Sequence, residues 1–325
     1  MTKHNAPERG TINLFDAIWG QAYLLLFLAP LSWAGNIVAS KLAVGQIDPL
    51  VLSALRWLFA LIILAWFALP HVRRDRAEIM RKWYWFAAYG ALGFATFNTL
   101  MYGAALFTTA VNISMEQAAI PVLVMIGNFL VFKVRATLLH IVGVALTIYG
   151  VLHVATHGDP TRILFLDVNI GDGMVIGACL CYTIYSLTLK FRPAVHWLSF
   201  LFASTAFAAL TALVYVTLFG AGIPAIAEAF VSTPPAGWFI VLYVAIFPTI
   251  VAQLCYARGV ELIGPNRASI FINLLPVLGA ILSVILVGEG LSLYHFIAAV
   301  FIIGGIVLSE YAARTRQNRS LKPPV

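Results

Sequence analysis

The chain is dominated by ten apolar runs of about twenty residues or more, separated by segments too short to fold on their own. They lie at approximately 20–43, 48–70, 83–107, 110–132, 136–156, 171–191, 196–220, 236–262, 265–288 and 292–313. A helix rises about 1.5 Å per residue, so about 20 apolar residues cross the ~30 Å hydrocarbon core of a bilayer. The runs are too long, and alternate too little, for the roughly ten-residue strands of a membrane barrel. Apolar residues make up 62% of the chain and charged residues only 10%, against roughly 25% charged in soluble proteins. So few charges could not cover the surface of a water-soluble fold. These features predict an all-α integral membrane protein with ten transmembrane helices. They exclude a secreted disulfide scaffold, a disordered chain and an ordinary cytosolic enzyme.

The formal net charge of +7 sits in short basic clusters between the runs, the densest being Arg73, Arg74, Arg76, Arg81 and Lys82. No basic stripe is interleaved with aromatic residues, so the charge points to a lipid bilayer with anionic headgroups and not to nucleic acid. Numbering the loops alternately puts seventeen Lys and Arg residues on the side of the N-terminus and only Arg162 on the other. By the positive-inside rule the first side is cytoplasmic, with both termini there, in the cell inner (plasma) membrane. The first run continues past the length of a signal-peptide core without a small-residue cleavage site, so it is expected to remain as a span. The divisions are then a cytoplasmic segment 1–19, a first five-helix unit 20–156, an external loop 157–170, a second five-helix unit 171–313 and a basic cytoplasmic tail 314–325.

The two units are alike at an offset of about 150 residues. Lys41 meets Lys190, Trp85 meets Trp238, Tyr102 meets Tyr256 and Gly150 meets Gly305. Ile120-Pro121-Val122-Leu123 meets Leu275-Pro276-Val277-Leu278. An odd number of spans per unit turns the second upside down relative to the first. Two such inverted repeats can expose one central site to either side of the membrane by rocking.

Ten spans as five plus five resemble the EamA-type members of the drug/metabolite transporter superfamily. The likeness covers about 20–313 and is carried by particular residues. They are Ser32-Trp33-Ala34-Gly35-Asn36 running on to Ser40-Lys41, Leu52-Ser53-Ala54-Leu55-Arg56-Trp57, and Leu275-Pro276-Val277-Leu278-Gly279-Ala280. Gly288-Glu289 and a final span bearing Gly304-Gly305 complete the series. The first unit departs from the pattern, with Phe132-Lys133-Val134-Arg135 where such families often place an acid. The resemblance implies a carrier of small metabolites, often an exporter, with amino-acid exporters of the inner membrane as the analogy.

Enzyme signatures are absent, with neither G-x-x-x-x-G-K-[ST] nor H-E-x-x-H. Gly171-Asp172-Gly173 with Gly177 has the wrong spacing for a dinucleotide loop and reads as close helix packing. Cys179, Cys181 and Cys255 fall inside apolar runs and read as small core residues, not as a metal or disulfide set. His140, His153 and His295 are isolated from one another and read as structural. No cofactor and no metal is expected.

Polar side chains inside spans are costly unless paired or wet, so each marks a candidate site. Trp33, Asn36, Asn98, Tyr102, Gln117, Tyr182, Tyr185, Ser186, Gln253, Tyr256 and Asn273 read as a cavity lining drawn from both units. Asn98 with Tyr102, and Tyr182 with Tyr185 and Ser186, share a helix face by their spacing. Neutral hydrogen-bonding groups beside aromatic rings suit a zwitterionic solute with an apolar side chain. Lys41, Arg56 and Glu116 fall at similar depth, so Glu116 is expected to pair with Arg56 or Lys41, as a buried helix clamp, a gate or a proton-sensitive group, with snorkelling of Lys41 to the lipid interface as the alternative. Pro121 and Pro276 break helical hydrogen bonds mid-span at matching places, as tolerated kinks or paired hinges. The predicted function is secondary transport of a small-molecule substrate by a monomer, with protons as a candidate coupling ion. The rival within transport, an antiporter of phosphorylated sugars or nucleotide sugars, needs a strongly cationic cavity, and only Lys41 and Arg56 are near. A membrane-embedded enzyme or a channel is the alternative from another class.

Overall fold

In the computed structural model the described residues are 18–133, 137–159, 161, 169–264, 268 and 271–320, and among them there is no strand. Most of the segment 1–19, much of the loop 157–170 with Arg162, and Arg135 and Arg267 lie outside the described residues, as does the side chain of His140. The helices are α1 Ala22–Leu42, α2 Pro49–Arg81, and α3, which runs from Trp83–Ala88 through Tyr89–Thr96 to Phe97–Ala104. Then come α4 Ala110–Glu116, α5 Ala119–Phe132, α6 Leu138–Ala155, α7 Ile170–Thr188, α8 Trp197–Phe219 and α9 Ile223–Ser232. The last are α10, from Pro235–Ile246 through Phe247–Val251 to Ala252–Ile263, α11 Leu275–Leu282 continuing as Ser283–Val287, and α12 Leu293–Ser320. Among the described residues six helices are long and apolar enough to cross a bilayer, and four shorter apolar helices accompany them.

Helix starts follow from local chemistry. Before α2, the Asp48 carboxylate accepts from the N–H groups of Leu50 and Val51 at 2.9 and 3.1 Å, and Pro49 occupies the position where no N–H is needed. The sequence places the end of this run at Pro70, but the helix continues through that proline to Arg81. At 33 residues it is roughly 50 Å long, more than a ~30 Å hydrocarbon core requires. Its far end therefore carries the basic cluster clear of the apolar zone, where Glu78 pairs with Arg81 and with Lys82.

Large apolar side chains such as Trp66, Leu218, Phe239 and Val300 stand exposed on the outside, as lipid contact requires. Small residues let the helices approach closely inside. A methyl group at Gly259 would strike Leu26, and one at Gly279 would strike Ser114. Through these contacts α1 of the first half lies directly against α10, and α4 against α11. The pair α6 and α12 is closer still. A methyl at Gly143 would run into Ser309 and the Gly305 carbonyl, and one at Gly305 into Thr147 and the Gly143 carbonyl. This is small-residue packing, which replaces the hydrophobic driving force that lipid cannot supply.

Gly304 and Gly305 adjoin on α12, yet a side chain at Gly304 would meet nothing. Gly305→Leu is expected to destabilise the protein by about 1–3 kcal/mol through overpacking. Gly304→Leu leaves stability unchanged. Thermal melting in detergent separates the two.

Candidate functional site

The helices depart from regularity at matching places in the two halves. In α3 the stretch Tyr89–Thr96 is a π-helical bulge, and in α10 the stretch Phe247–Val251 is another. In each a threonine closes the wide turn. Thr96 Oγ1 donates to the Ala91 carbonyl at 2.7 Å, and Thr249 Oγ1 to the Val244 carbonyl at 2.8 Å, both five residues back. Thr96 and Thr249 are 153 positions apart, as are Trp85 and Trp238. Such bulges inside helices concentrate at functional sites.

A second matched departure lies upstream of the paired prolines. The helix breaks into a turn at Gln117 and Ala118, ahead of Pro121, and at Asn273 and Leu274, ahead of Pro276. A proline ring clashes with the carbonyl four residues before it, which puts each break before the proline and not at it. The two prolines themselves differ: Pro276 is buried and Pro121 faces outward.

Arg56 occupies the interior between these features and is 3% exposed. Its Nη1 donates to Asn36 Oδ1 at 3.0 Å, to Asn98 Oδ1 and to the Tyr102 hydroxyl. Its Nε donates to Thr249 Oγ1 at 2.9 Å. The Tyr102 hydroxyl donates in turn to Asn36 Oδ1 at 2.9 Å, and Asn36 Nδ2 to Asn98 Oδ1 at 3.2 Å. Four helices, α1, α2, α3 and α10, thus meet at one guanidinium, and Thr249 brings the bulge of the second half to it. Nearby, Trp33 Nε1 donates to the Pro248 carbonyl at 3.1 Å, and its ring lies 5.7 Å from that of Tyr256.

An aromatic wall extends from this hub. Trp57 stacks on Phe94 at 5.3 Å, and Phe94 meets Tyr185 at 5.8 Å. Tyr185 meets Tyr182 at 5.3 Å, and Tyr182 meets Phe97 at 5.2 Å. Gly93, in the α3 bulge, admits the Tyr185 ring where any side chain would overlap it. Among the described residues the side chains of Ser186, Gln253 and Asn273 are half-buried and make no hydrogen bond, while Gln117 reaches only the Ile113 carbonyl at 3.4 Å.

The expected pairing of Glu116 with Arg56 or Lys41 does not form. Lys41 Nζ instead donates to the carbonyls of Ala105 and Thr108 at 2.9 and 2.8 Å. The Ala105 carbonyl lies at the end of α3, where unsatisfied C=O groups attract a cation, and that of Thr108 in the turn that leads into α4. Glu116 is the last residue of α4 and lies beside α7, with Cys179 Sγ 4.0 Å from its carbonyl. Its carboxyl neighbours that of Asp172, and all four oxygens are buried without a hydrogen-bond partner. Thr108, His157 and Tyr294 are the other neighbours of Asp172. Asp172 escaped the sequence reading because its glycine neighbours drew attention to packing. Thr249, Trp57 and Phe94 escaped it as well, and the 153-residue offset was the signal that could have found Thr249.

The remaining polar groups clamp the halves together. Glu289 accepts from the N–H groups of Ala110 and Val111, both at 2.9 Å, and so caps α4 from the opposite half. His295 accepts from Ser292 N at Nδ1 and therefore donates from Nε2 to Asn112 Oδ1 at 3.0 Å. His153 stacks on Tyr149, with both nitrogens unpartnered.

Asn98→Leu removes an acceptor from the buried guanidinium and is expected to cost about 1.5–3 kcal/mol of stability. Ser186→Ala removes no hydrogen bond and stays within about 0.5 kcal/mol of wild type. Chemical or thermal unfolding in detergent provides the comparison.

Comparison with known proteins places this arrangement. The uncharacterized transporter YyaM of Bacillus subtilis (strain 168) is 23% identical over 299 residues, 90% of this chain and 94% of that protein. The uncharacterized transporter YetK of the same organism is 24% identical over 294 residues, 89% of this chain and 86% of that protein. A solved crystal structure aligns with a TM-score of 0.61 at 19% identity, over 90% of this chain and 98% of that one, a likeness of fold. The EamA-like transporter family is matched twice, over residues 20–156 and 169–311. The chain therefore belongs to the EamA-like transporter family and carries two copies of its repeat unit.

Proposed function

We propose that the protein is a secondary transporter that exports small metabolites, amino acids with aromatic or apolar side chains among them, by alternating access. The observation that carries this reading is the duplicated bulge, Thr96 in α3 and Thr249 in α10. Irregular backbone within a span is tolerated where it lines a cavity or is buried in protein, and broken helices at corresponding places in two repeats mark the solute site of many carriers. In this reading the chain forms ten spans in two inverted units, acts as a monomer in the inner membrane with both termini in the cytoplasm, and holds no cofactor. Trp33, Tyr182, Tyr185, Gln253, Tyr256 and Asn273 contact the solute, and the breaks at Gln117 and Asn273 flex. Arg56, the one buried guanidinium among the described residues, with Lys41 already engaged by carbonyls, speaks against a phosphorylated sugar, which needs more positive charge.

Purified protein in liposomes is expected to move labelled aromatic or branched amino acids and to accelerate their release when unlabelled solute is placed opposite. No movement of any member of a broad metabolite panel rejects the reading. We also assign the coupling proton to Glu116, because its carboxyl is buried beside that of Asp172 and makes no ion pair among the described residues. Glu116→Gln is expected to abolish uptake driven by a pH gradient while sparing exchange. Unchanged pH dependence rejects that assignment.

A further inference from the structure

We infer that Arg56 anchors a carboxylate group of the transported solute. This rests on the transport reading and adds to it the chemistry by which the solute is held. Three ion pairs occur among the described residues: Arg81 with Glu78, Lys82 with Glu78, and Arg258 with Glu261. Each is local to the end of a helix, and none involves Arg56. Its positive charge is met only by neutral oxygens. A buried charge without a counter-charge is expensive inside a bilayer and is kept where function requires it. The buried carboxyls that could have neutralised it, Glu116 and Asp172, face each other instead.

The bonding of the guanidinium leaves one edge open. Nε and Nη1 make every hydrogen bond found for Arg56, with Nη1 surrounded by three acceptors. Nη2 makes none, and it is not among the buried polar atoms closed off without a partner. A terminal nitrogen carries two hydrogens, and the planar fork of arginine fits a carboxylate by two parallel bonds. Beside it the Trp57 ring lies 4.8 Å from the guanidinium carbon, and the buried indole N–H of Trp57 has no acceptor either. The unused donor at Nη2 thus belongs to an uncompensated positive charge. The aromatic wall from Trp57 through Phe94 to Tyr185 starts at the same point, so a solute held by its carboxylate at Arg56 can lay an apolar side chain along it. One guanidinium matches a monoanion, not a phosphate dianion.

The test uses the full-length protein in nanodiscs for binding and in liposomes for counterflow. The probes are matched pairs: L-phenylalanine with phenethylamine, L-leucine with isopentylamine, and phenylacetate with phenylacetamide. The expected result is that the carboxylate member of at least one pair binds at least about tenfold more tightly than its partner. Arg56→Gln should remove that binding, and Arg56→Lys should weaken it by about tenfold through loss of the fork. Asn98→Asp guards against misfolding: it keeps the cation, supplies an internal carboxylate, and should melt no lower than wild type while losing carboxylate binding. Equal binding of acid and amine, absence of carboxylate binding from the whole set, or wild-type binding by folded Arg56→Gln or Asn98→Asp overturns the inference. Carboxylate binding by the wild type without counterflow overturns the transport reading and leaves the anion site standing.

Discussion

Hydrocarbon offers a peptide N–H or C=O no hydrogen-bond partner, so each span must satisfy its backbone from within. At several places where a helix here departs from regularity or ends, a protein side chain answers for the freed backbone groups. Thr96 and Thr249 take the carbonyls that their bulges expose, and Lys41 takes one at the end of α3 and one in the turn after it. Glu289 takes the first N–H groups of α4. Side chains that look like binding groups in the sequence are thus partly spent on backbone repair. Those left over, Ser186, Gln253 and Asn273, stand out because their side chains make no hydrogen bond among the described residues.

The same restriction explains what the sequence revealed and what it hid. Helicity and the apolar exterior follow from composition and run length, and the family follows from short motifs such as Leu275-Pro276-Val277-Leu278. Depth in the membrane is also readable, since it only requires counting residues along a span. Direction around the helix is harder. Counted along their runs, Lys41, Arg56 and Glu116 fall at similar depth, and counting alone would join them. In the structure they point to different neighbours: Arg56 into the junction of α1, α3 and α10, Lys41 to the end of α3, Glu116 toward α7. Asn36, Asn98 and Tyr102 come together because α1 and α3 turn these polar positions toward one cation.

Irregular backbone is nearly invisible to residue patterns. A π-bulge adds one residue to a turn without changing composition; in Phe247–Val251 the missing N–H of Pro248 frees the Val244 carbonyl that Thr249 takes, whereas Tyr89–Thr96 has no proline to announce it. The duplication supplied the missing signal, since Thr96 and Thr249 stand at the same separation as Trp85 and Trp238. The proline breaks were legible as events but not as places, because the steric clash falls on the preceding turn.

The halves share their scaffold but not their charges. The bulges of α3 and α10, the proline breaks and the close-packed glycines recur, although the π-helical end of α11, Ser283–Val287, corresponds to a regular α5; the positions about 150 residues beyond Arg56, from Thr205 to Ala209, carry no charge at all. Glu116 likewise has no acidic mate near Phe271–Asn273; the acid it meets, Asp172, comes from the start of the second half. A duplicated frame can place one internal site in two equivalent surroundings, which is what alternating exposure requires. Duplicating Arg56 as well would put two like charges at the centre, where each would raise the burial cost of the other. One cation with neutral oxygens around it is the arrangement that a symmetric frame can hold and that a single anionic group can complete.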